Sequence, residues 1–341
     1  TLLPVGAWAA GTPASSIQLG DYVQMGTYDT DGDGTAEPIL WRCVAFEKVT
    51  GTDTDGNPII DSTQTAATYQ DGYLPLMLAD GAVCKKEFDA AGANTSGSHY
   101  RGTVRTGDLG GSSYWGDANI RDWLNSDSDR VTYTCGNNPS YANEKGFLTN
   151  FSDTEKAAIQ TVTQKSLLTE LDYNKLPAGK KSGTEEHERS DYDTYHYYHI
   201  SEVVQNYTTA YSEQITDKMF LLDVRQAWNV YDSFKTETYY VLPTLNAYYC
   251  LRSPDNHAGT TVRRIYSQTT TSADVSGLGV SYSTASVRPA FFLDPSSTFV
   301  SGTGAKDTPY NASAASAGSP AAVLTGSDGS TQDYASLEDC I

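Results

Sequence analysis

The sequence predicts an α+β fold made of β-strands, short helices and long ordered loops. Hydrophobic residues form 38 % of the chain, which also contains 24 tyrosines and 29 glycines. This composition is typical of a globular, loop-rich β or α+β protein and differs from that of a disordered chain. Several stretches show the alternating or continuous apolar pattern of strands, whereas the helix signals are short. With 341 residues, the chain can form one large domain or two ordinary domains around a substantial core.

Two strands are predicted near the start of the chain. Residues 17–25 alternate between apolar and polar side chains, as in a strand with one buried face. Residues 38–49 are almost all apolar and predict a longer strand. Between them lies an acidic turn with carboxylates at alternate positions, Asp29, Asp31 and Asp33. This turn resembles the first half of a calcium-binding loop, in which hard oxygen ligands converge on the ion.

A simple turn is the competing interpretation of this acidic loop. The twelfth position counted from Asp29 is Leu40, where a calcium loop has a bidentate glutamate, and Glu37 is the nearest substitute. Asp-Gly repeats also form hairpin turns without any metal. We therefore expect no obligatory cofactor, and calcium at the three aspartates stays an open interpretation beside the turn.

The next part of the chain predicts loops followed by a short helix. Residues 63–116 are rich in Gly, Ser, Thr and Asp, with one apolar patch at 73–78, and predict long ordered loops. Residues 117–125 predict a short helix with a buried face formed by Ile120, Trp123 and Leu124.

A capping box predicts the start of a second helix. Ser152 and Glu155 have the spacing at which each side chain bonds the backbone N–H of the other. We expect this helix to continue to about residue 163, with an inward face formed by Ala157, Ala158 and Ile159.

Residues 172–202 predict an insertion in the domain. A charged run at 180–189 is followed by a run of tyrosines and histidines. Within it His196, His199 and Glu202 have a spacing that can hold a metal on a helix. Histidines and tyrosines also cluster in polar contact loops without a metal, and we favour that interpretation.

The last third of the chain predicts a core strand at 219–222 and a helical turn at 224–230 that carries Trp228. After Asp294 the composition shifts to Ser, Gly, Ala and Pro. This shift predicts a weakly structured tail or linker over residues 295–341.

The charge balance narrows the classes of partner. The chain has 23 basic and 42 acidic residues and a net charge of −19. Such a field repels phosphates and disfavours nucleic acid and anionic membrane as partners. No apolar run approaches the roughly 20 residues of a membrane-spanning helix. Residues 1–10 are apolar but lack the basic segment of a signal peptide, so we expect a mature form or a fragment.

Cysteine spacing argues against a disulfide scaffold or a structural zinc site. The five cysteines are odd in number, widely separated and without a Cys-x-x-Cys pair. Cys43 and Cys250 lie in apolar runs, where a free thiol behaves as a small hydrophobe. This pattern indicates a chain that folds in a reducing compartment.

Residues 246–294 contain a polar segment between two apolar, strand-like ends at 248–251 and 287–293. Such a segment has too little apolar area to form a core. Its tyrosines, serines, asparagines and arginines suit contact with a ligand, because Tyr offers large amphipathic area at low entropy cost. A polar β-hairpin region without binding function is the alternative.

Short motifs in the same order give the chain a family resemblance. They are Leu3-Pro4-Val5-Gly6, Gly20-Asp21-Tyr22, Glu37-Pro38-Ile39-Leu40-Trp41-Arg42, Asn119-Ile120-Arg121-Asp122-Trp123-Leu124-Asn125, Gly146-Phe147-Leu148 with Phe151-Ser152-Asp153-Thr154-Glu155, Lys218-Met219-Phe220-Leu221-Leu222, Tyr248-Tyr249-Cys250-Leu251-Arg252-Ser253-Pro254 and Ser286-Val287-Arg288-Pro289-Ala290-Phe291-Phe292-Leu293. Over residues 3–294 the chain resembles the DUF6273 family of gut bacteria and their phages. Departures from its pattern are Tyr-Tyr at 248–249, where Trp-Trp is usual, and Ser286 in place of glycine.

This resemblance implies a C-type-lectin-like domain over residues 1–294, with a formylglycine-generating-enzyme-like fold. It also implies that 246–294 is a variable region diversified by a retroelement, because that segment often has this role in the family. The expected ligand-binding residues are Asn246, Tyr248, Tyr249, Ser253, Asp255, Asn256, His257, Thr260, Thr261, Arg263, Arg264, Tyr266, Gln268, Ser281, Tyr282 and Ser283. Those expected to point outward are Tyr248, Asn256, His257, Arg263, Arg264, Tyr266 and Tyr282, whereas Arg252 and Arg288 are expected to bond loop carbonyls within the framework.

The predicted function is therefore non-catalytic recognition of a protein or glycan on a host or neighbouring cell, with the chain displayed on a phage tail or bacterial surface, or secreted. The alternative within the same fold is a formylglycine-generating-enzyme-like oxidoreductase or another pocket enzyme. Those oxidoreductases use paired cysteines, and Cys250 alone lies in the corresponding region. A third hypothesis is a structural component of a virion or adhesin that buries the segment in an oligomer interface.

Overall fold

The computed structural model describes residues 11–90, 111–134, 138–185, 198–234, 249–255, 259–268, 273–311, 322–325 and 331–334. The strands in these ranges are β1 Thr12–Pro13, β2 Tyr22–Tyr28, β3 Glu37–Thr52, β4 Pro58–Ala66, β5 Tyr73–Ala79, β6 Cys84–Lys85, β7 Ile159–Gln160, β8 Val162–Leu167, β9 Tyr198–His199, β10 Ser212–Asp217, β11 Met219–Leu221, β12 Tyr249–Pro254, β13 Thr261–Gln268, β14 Ala273–Gly279, β15 Ser286–Val287, β16 Pro289–Leu293, β17 Thr298–Phe299, β18 Tyr310–Asn311, β19 Ala322–Thr325 and β20 Thr331–Tyr334. The helices are α1 Asn119–Leu124, α2 Asp153–Ala158, α3 Glu170–Lys175, α4 Ile200–Val203 and α5 Val224–Phe234, with 3-10 turns at Ala14–Ser16, Trp115–Asp117, Phe147–Asn150 and Ala178–Lys180. The predicted α+β class is confirmed.

The larger sheet is organised around β3. Its main path runs β10-β8-β4-β3-β5-β16-β11, with β2 also pairing β3. The apolar run in β3 is buried, with α5 packed against the strand and the Phe151 ring 6.2 Å from the Trp41 ring. Trp41 and Phe291 meet edge to face in this core, with ring centroids 4.9 Å apart. The strand predicted at 38–49 is thus confirmed and is longer than expected.

The smaller sheet carries the polar segment. Its order is β6-β15-β12-β13-β14-β9, and β12, β13 and β14 are joined as antiparallel neighbours. The interior residues Val262, Ile265 and Val275 are fully buried. These apolar side chains give a segment of mainly polar composition its fixed place in the fold.

Several predicted boundaries are wrong for identifiable reasons. The strand predicted at 17–25 begins at Tyr22, because residues 18–21 form a turn in which the Asp21 N–H donates to the Gln18 carbonyl at 3.1 Å and Gly20 has a positive φ. The predicted loops at 63–116 contain the end of β4 and all of β5, whose residues 74–79 are buried. The sequence has only a short apolar patch there, and pairing of β5 with both β3 and β16 makes it a central strand.

The two predicted helices are present. In α1 Ile120, Trp123 and Leu124 are buried as expected. The capping box at Ser152 is confirmed, since its hydroxyl accepts from the Glu155 N–H and the Glu155 carboxylate accepts from the Ser152 N–H. The helix ends at Ala158 and not near 163, because the chain continues into β7 and β8; Ala157 is exposed and not inward.

The chain after Asp294 remains part of the fold for some distance. Strand β17 pairs with β1, and β18 pairs in parallel with β2. Lys306 Nζ lies 2.6 Å from Asp80 Oδ2. The expectation of a weakly structured tail is therefore wrong for residues 295–311, because backbone pairing compensates for their low apolar content. The β19–β20 hairpin follows, and the other tail residues lie outside the described residues.

Arg252 and Arg288 have the structural role predicted for them. Arg252 Nη1 donates to the Leu221 carbonyl at 2.6 Å, and Arg288 Nε donates to the Ala79 carbonyl at 2.6 Å. Both guanidinium groups are buried. Cys43, Cys84 and Cys250 are free thiols, while Cys135 and Cys340 lie outside the described ranges. Within those ranges no helix has the length and hydropathy needed to cross a membrane.

Candidate binding surface

A set of loops meets at one end of the smaller sheet and is held by backbone hydrogen bonds. Val280 N–H donates to the Thr260 carbonyl at 3.0 Å, and Ser113 N–H donates to the Gly259 carbonyl at 2.8 Å. Phe88 N–H donates to the Val280 carbonyl at 2.9 Å. The loop before β13 and the loop after β14 are therefore fixed to each other and to residues that precede α1.

We call Thr260, Ser281, Tyr282 and Ser283 the contact surface, of which Thr260 and Ser281 are partly exposed and Tyr282 and Ser283 are exposed. Tyr282 is 59 % exposed and is one of two exposed large hydrophobic residues among those the structure describes, the other being Val300. The Tyr282 backbone is held in a turn, because Tyr282 N–H donates to the Gly279 carbonyl at 3.1 Å and Ala285 N–H donates to the Tyr282 carbonyl at 3.2 Å. A fixed backbone thus presents a large amphipathic side chain among hydroxyl groups.

A buried ion pair lies beneath this surface. Arg263 Nη2 is 2.8 Å from Asp255 Oδ1, and the two side chains are 1 % and 14 % exposed. Burial raises the pKa of the Asp255 carboxyl to about 6 and lowers the pKa of the Arg263 guanidinium to about 9. Burial disfavours the charged form of each group, whereas an opposite charge at this distance favours it.

Three of the expected ligand-binding residues are buried, which corrects their predicted placement. Tyr249 is 4 % exposed, and its ring lies 5.2 Å from the Arg288 guanidinium carbon. Ser253 is 0 % exposed and accepts from the Val224 N–H at 3.0 Å. The outward orientation predicted for Arg263 is wrong, because the side chain turns inward to Asp255. A polar residue within a polar stretch predicts exposure, but Arg263 is buried and pairs with Asp255.

The other expected residues divide into two groups. Those that are partly or fully exposed are Asp255, Thr260, Thr261, Arg264, Ser281, Tyr282 and Ser283. Arg264 Nε donates to Ser276 Oγ at 2.9 Å. Residues or side chains outside the described part of the structure are Asn246, Tyr248, Asn256, His257, Tyr266 and Gln268. The structure thus brings Thr260 together with the 281–283 loop across a gap of twenty residues in sequence.

Sequence reasoning missed the residues that support the contact surface from outside the polar segment. Asp89 is fully buried, and its Oδ2 accepts from the Ser112 N–H at 2.8 Å. The Ala90 N–H donates to Asn119 Oδ1 at 2.8 Å. The signal available was the asparagine that begins the 119–125 motif, since Asn readily bonds loop backbone.

The histidine at 199 contacts a carboxylate. His199 Nδ1 is 2.8 Å from Asp274 Oδ1, and both residues lie on paired strands at the edge of the smaller sheet. Glu202 is exposed in α4, and His196 lies outside the described residues. The metal interpretation of His196, His199 and Glu202 therefore stays the alternative to a polar contact loop, and Asp274 gives His199 a partner.

The acidic loop brings its carboxylates together. Oxygens of Asp29, Asp31, Asp33 and Glu37 lie within 4.8 Å of one another. Asp29 accepts from the Gly32 N–H at 2.7 Å and from the Gly34 N–H at 2.9 Å. Glu37 Oε2 accepts from the Thr30 N–H at 3.0 Å. Backbone donors thus order the loop, and the convergence provides oxygen ligands of the kind that bind a hard cation.

A buried polar network fixes β12 to the larger sheet and α5. Arg252 Nη2 is 3.2 Å from Asp223 Oδ2, and Arg252 Nη1 donates to Gln226 Oε1 at 2.7 Å. The Gln226 amide in turn donates to Glu47 Oε2 at 3.0 Å. Glu47 is fully buried, and burial raises its pKa to about 8, with the nearby Asp223 carboxylate adding to the rise. These contacts hold β12, the first strand of the polar segment, against α5 and the larger sheet.

The described residues also form an open cleft of about 470 Å³ between the end of α1 and the β10–β11 junction. Residues that line this cleft form hydrogen bonds with one another and with their neighbours. Arg121 Nε donates to Asp217 Oδ1 at 2.7 Å, and Trp115 Nε1 donates to Asp217 Oδ2 at 2.9 Å. Asn125 Oδ1 accepts from the Lys218 N–H at 2.9 Å. These contacts give the two motifs at 119–125 and 218–222 a structural role.

Comparison with known proteins gives one finding about family. Residues 104–295 match the family described as "Domain of unknown function (DUF6273)". The matched range includes α1, the capping box, the motifs that contain Arg252 and Arg288, and the whole contact surface. No curated protein and no solved structure matches the chain.

Proposed function

The chain belongs to the DUF6273 family, and from that premise we propose that it is a non-catalytic binding protein whose contact surface recognises a ligand. The observation that carries this proposal is the exposure of Tyr282, at 59 %, on a backbone fixed by hydrogen bonds to its neighbours. A fold gains nothing from holding a large ring in water at an ordered position, whereas a binding surface does.

The chemistry of the contact surface supports recognition. Tyr282 offers an aromatic face and a hydroxyl, and Thr260, Ser281 and Ser283 add groups that both donate and accept hydrogen bonds. Tyrosine beside small hydroxyl residues is the combination that antibody paratopes use. Because the backbone is already ordered, binding loses little conformational entropy.

We infer that the scaffold is a C-type-lectin-like domain and that residues 246–294 are diversified by a retroelement, as the family resemblance implies. On this inference, the ligand is a protein or glycan on a host or neighbouring cell. The chain is then displayed on a phage tail or bacterial surface, or secreted. The division between a rigid interior and a small exposed set of polar side chains supports this inference, since exposed positions tolerate substitution.

Calcium at the acidic loop is a separate part of the proposal. Asp29, Asp31 and Asp33 with Glu37 supply converging carboxylate oxygens. Calcium there would order the β2–β3 connection and would take no direct part in the contact surface.

The test is a binding experiment with a matched pair of variants. The labelled chain is applied to a printed glycan array and to an array of bacterial cell-surface proteins, beside Tyr282→Ala and Val300→Ala. Val300 is 51 % exposed and lies outside the contact surface, so it controls for loss of any exposed apolar side chain. We expect Tyr282→Ala to reduce binding at least tenfold and Val300→Ala to leave it unchanged.

Thermal unfolding of both variants completes the test. We expect each melting temperature to stay within a few degrees of the parent chain, because both side chains are exposed. Equal binding by the parent chain and Tyr282→Ala would refute the proposed surface. Loss of binding with a large fall in melting temperature would show that Tyr282 supports the fold.

A further inference from the structure

The ion pair beneath the contact surface joins three strands. Asp255 directly follows β12, and Arg263 lies within β13. On the far side of β13, Arg263 is the register partner of Gly277 in β14. The Asp255 carboxylate passes over Gly277, so that a Cβ added there would overlap Asp255 Oδ2. The carboxylate therefore occupies space that only glycine leaves free.

Asp255 also bonds the first residue of β13, Thr261, through its backbone. Asp255 N–H donates to the Thr261 carbonyl at 2.9 Å, and Thr261 Oγ1 donates to the Asp255 carbonyl at 3.1 Å. Directly before Thr261, the carbonyls of Gly259 and Thr260 accept from the Ser113 and Val280 N–H groups. The position of Asp255 is thus linked by short contacts to both backbone bonds that hold the contact surface.

We propose that the Asp255–Arg263 pair is the positioning element of the contact surface, and that Gly277 is glycine because the pair needs the space above it. This inference rests on the proposed function for its biological meaning. Asp255 and Arg263 then act on a ligand through Thr260 and the 281–283 loop. Their own burial, at 14 % and 1 % side-chain exposure, prevents them from providing much contact area.

Two glycine substitutions in one strand give a matched test. Gly277→Ala adds a methyl group where the Asp255 carboxylate lies, whereas Gly279→Ala adds the same group two residues along β14 with no heavy atom within 4 Å. Neither glycine has a positive φ, so alanine is compatible with both backbones. The measurement is residue-resolved amide hydrogen exchange, which requires no ligand.

We expect Gly277→Ala to speed exchange of the Val280 and Ser113 amides at least tenfold, while amides in β3 keep their protection. Gly279→Ala should leave all of these rates unchanged. Unchanged rates at Val280 and Ser113 in folded Gly277→Ala would overturn the proposal. Equal acceleration in both variants would also overturn it, because the effect would then follow from any added side chain.

A double-mutant cycle on Asp255 and Arg263 provides a second test if Gly277→Ala does not fold. Asp255→Asn keeps the side-chain shape but leaves the buried Arg263 charge without this carboxylate, and Asp255→Asn with Arg263→Met removes both charges. Breaking one side of a buried pair costs more than removing both. We expect exchange at Val280 to be fastest in Asp255→Asn and slower in the double variant. Asp129→Asn, which removes an exposed ion pair with Lys145, is the control.

Equal Val280 exchange rates in Asp255→Asn and the parent chain would overturn the proposal, as would a double variant that exchanges as fast as Asp255→Asn. Binding to the glycan and cell-surface arrays distinguishes a failure of this proposal from a failure of the proposed function. A parent chain that binds nothing defeats the proposed function and leaves the exchange result intact. A Tyr282-dependent ligand whose affinity is the same for Gly277→Ala and the parent chain would refute the positioning role.

Discussion

Replacement of Glu47 by glutamine should change how stability depends on pH. Glu47 is fully buried, and its Oε2 accepts from the Gln226 amide at 3.0 Å. The nearby guanidinium of Arg252 is engaged by Asp223 at 3.2 Å, so one buried cation faces two buried carboxylates. Burial raises the pKa of Glu47 from 4.5 to about 8, and the folded protein therefore keeps this proton at neutral pH.

Proton linkage determines whether Glu47 stabilises or destabilises the fold as the pH rises. Above pH 4.5 the unfolded chain releases the proton while the folded chain retains it up to about pH 8. Stability from this group is thus fully present below pH 4.5 and is lost as the pH rises towards 8. Each pH unit in this window costs about 1.4 kcal/mol, so the loss between pH 5 and pH 7 is on the order of 3 kcal/mol. Glutamine resembles the protonated carboxyl and does not titrate.

The assay is urea unfolding at pH 5, 6, 7 and 8. We expect the free energy of unfolding of Glu47→Gln, relative to the parent chain, to rise by roughly 3 kcal/mol or more across this series. Glu170→Gln, at an exposed position in α3, should run parallel to the parent chain. Parallel pH profiles for Glu47→Gln and the parent chain would refute the reasoning, because Glu47 would then titrate alike in both states.

Further predictions concern the framework and the acidic loop. Arg252→Met leaves the fully buried Asp223 without its guanidinium partner and should cost about 3–5 kcal/mol in urea unfolding, with partial recovery when Asp223→Asn is added. Ser152→Ala removes the capping hydroxyl of α2 and should cost about 1 kcal/mol by the same measurement. Calcium titration followed by calorimetry should show binding that Asp29→Asn weakens at least tenfold, while binding at the contact surface is unchanged; equal heats for both chains would contradict the assignment.

Sequence patterns predicted those elements whose cause is local. The capping box at Ser152 and the buried face of α1 depend on neighbours within one turn, and both are present. The core strand β3 was predicted from residues 39–46, all of which except Arg42 are apolar. The end of α2 at Ala158 was missed, since pairing of β7 with the distant β16 decides it. Helical and extended patterns differ little over so few residues, and tertiary pairing then determines the outcome.

Local sequence pattern also does not predict which residues near the contact surface are exposed. Composition alone places Arg263 and Tyr282 in one class, as polar-tipped residues in a polar segment. The structure separates them, with Arg263 at 1 % side-chain exposure beside Asp255 and Tyr282 at 59 % exposure in a turn. What decides the difference is the space above Gly277, which lets a carboxylate meet a guanidinium inside the sheet. A segment with few apolar residues can therefore supply its own internal support from a charged pair and leave the remaining polar side chains free for contact. Within the polar segment, tolerance of substitution should then follow burial and not residue type: Tyr282 and Ser283 should accept many replacements without loss of stability, whereas Arg263 and Gly277 should accept few.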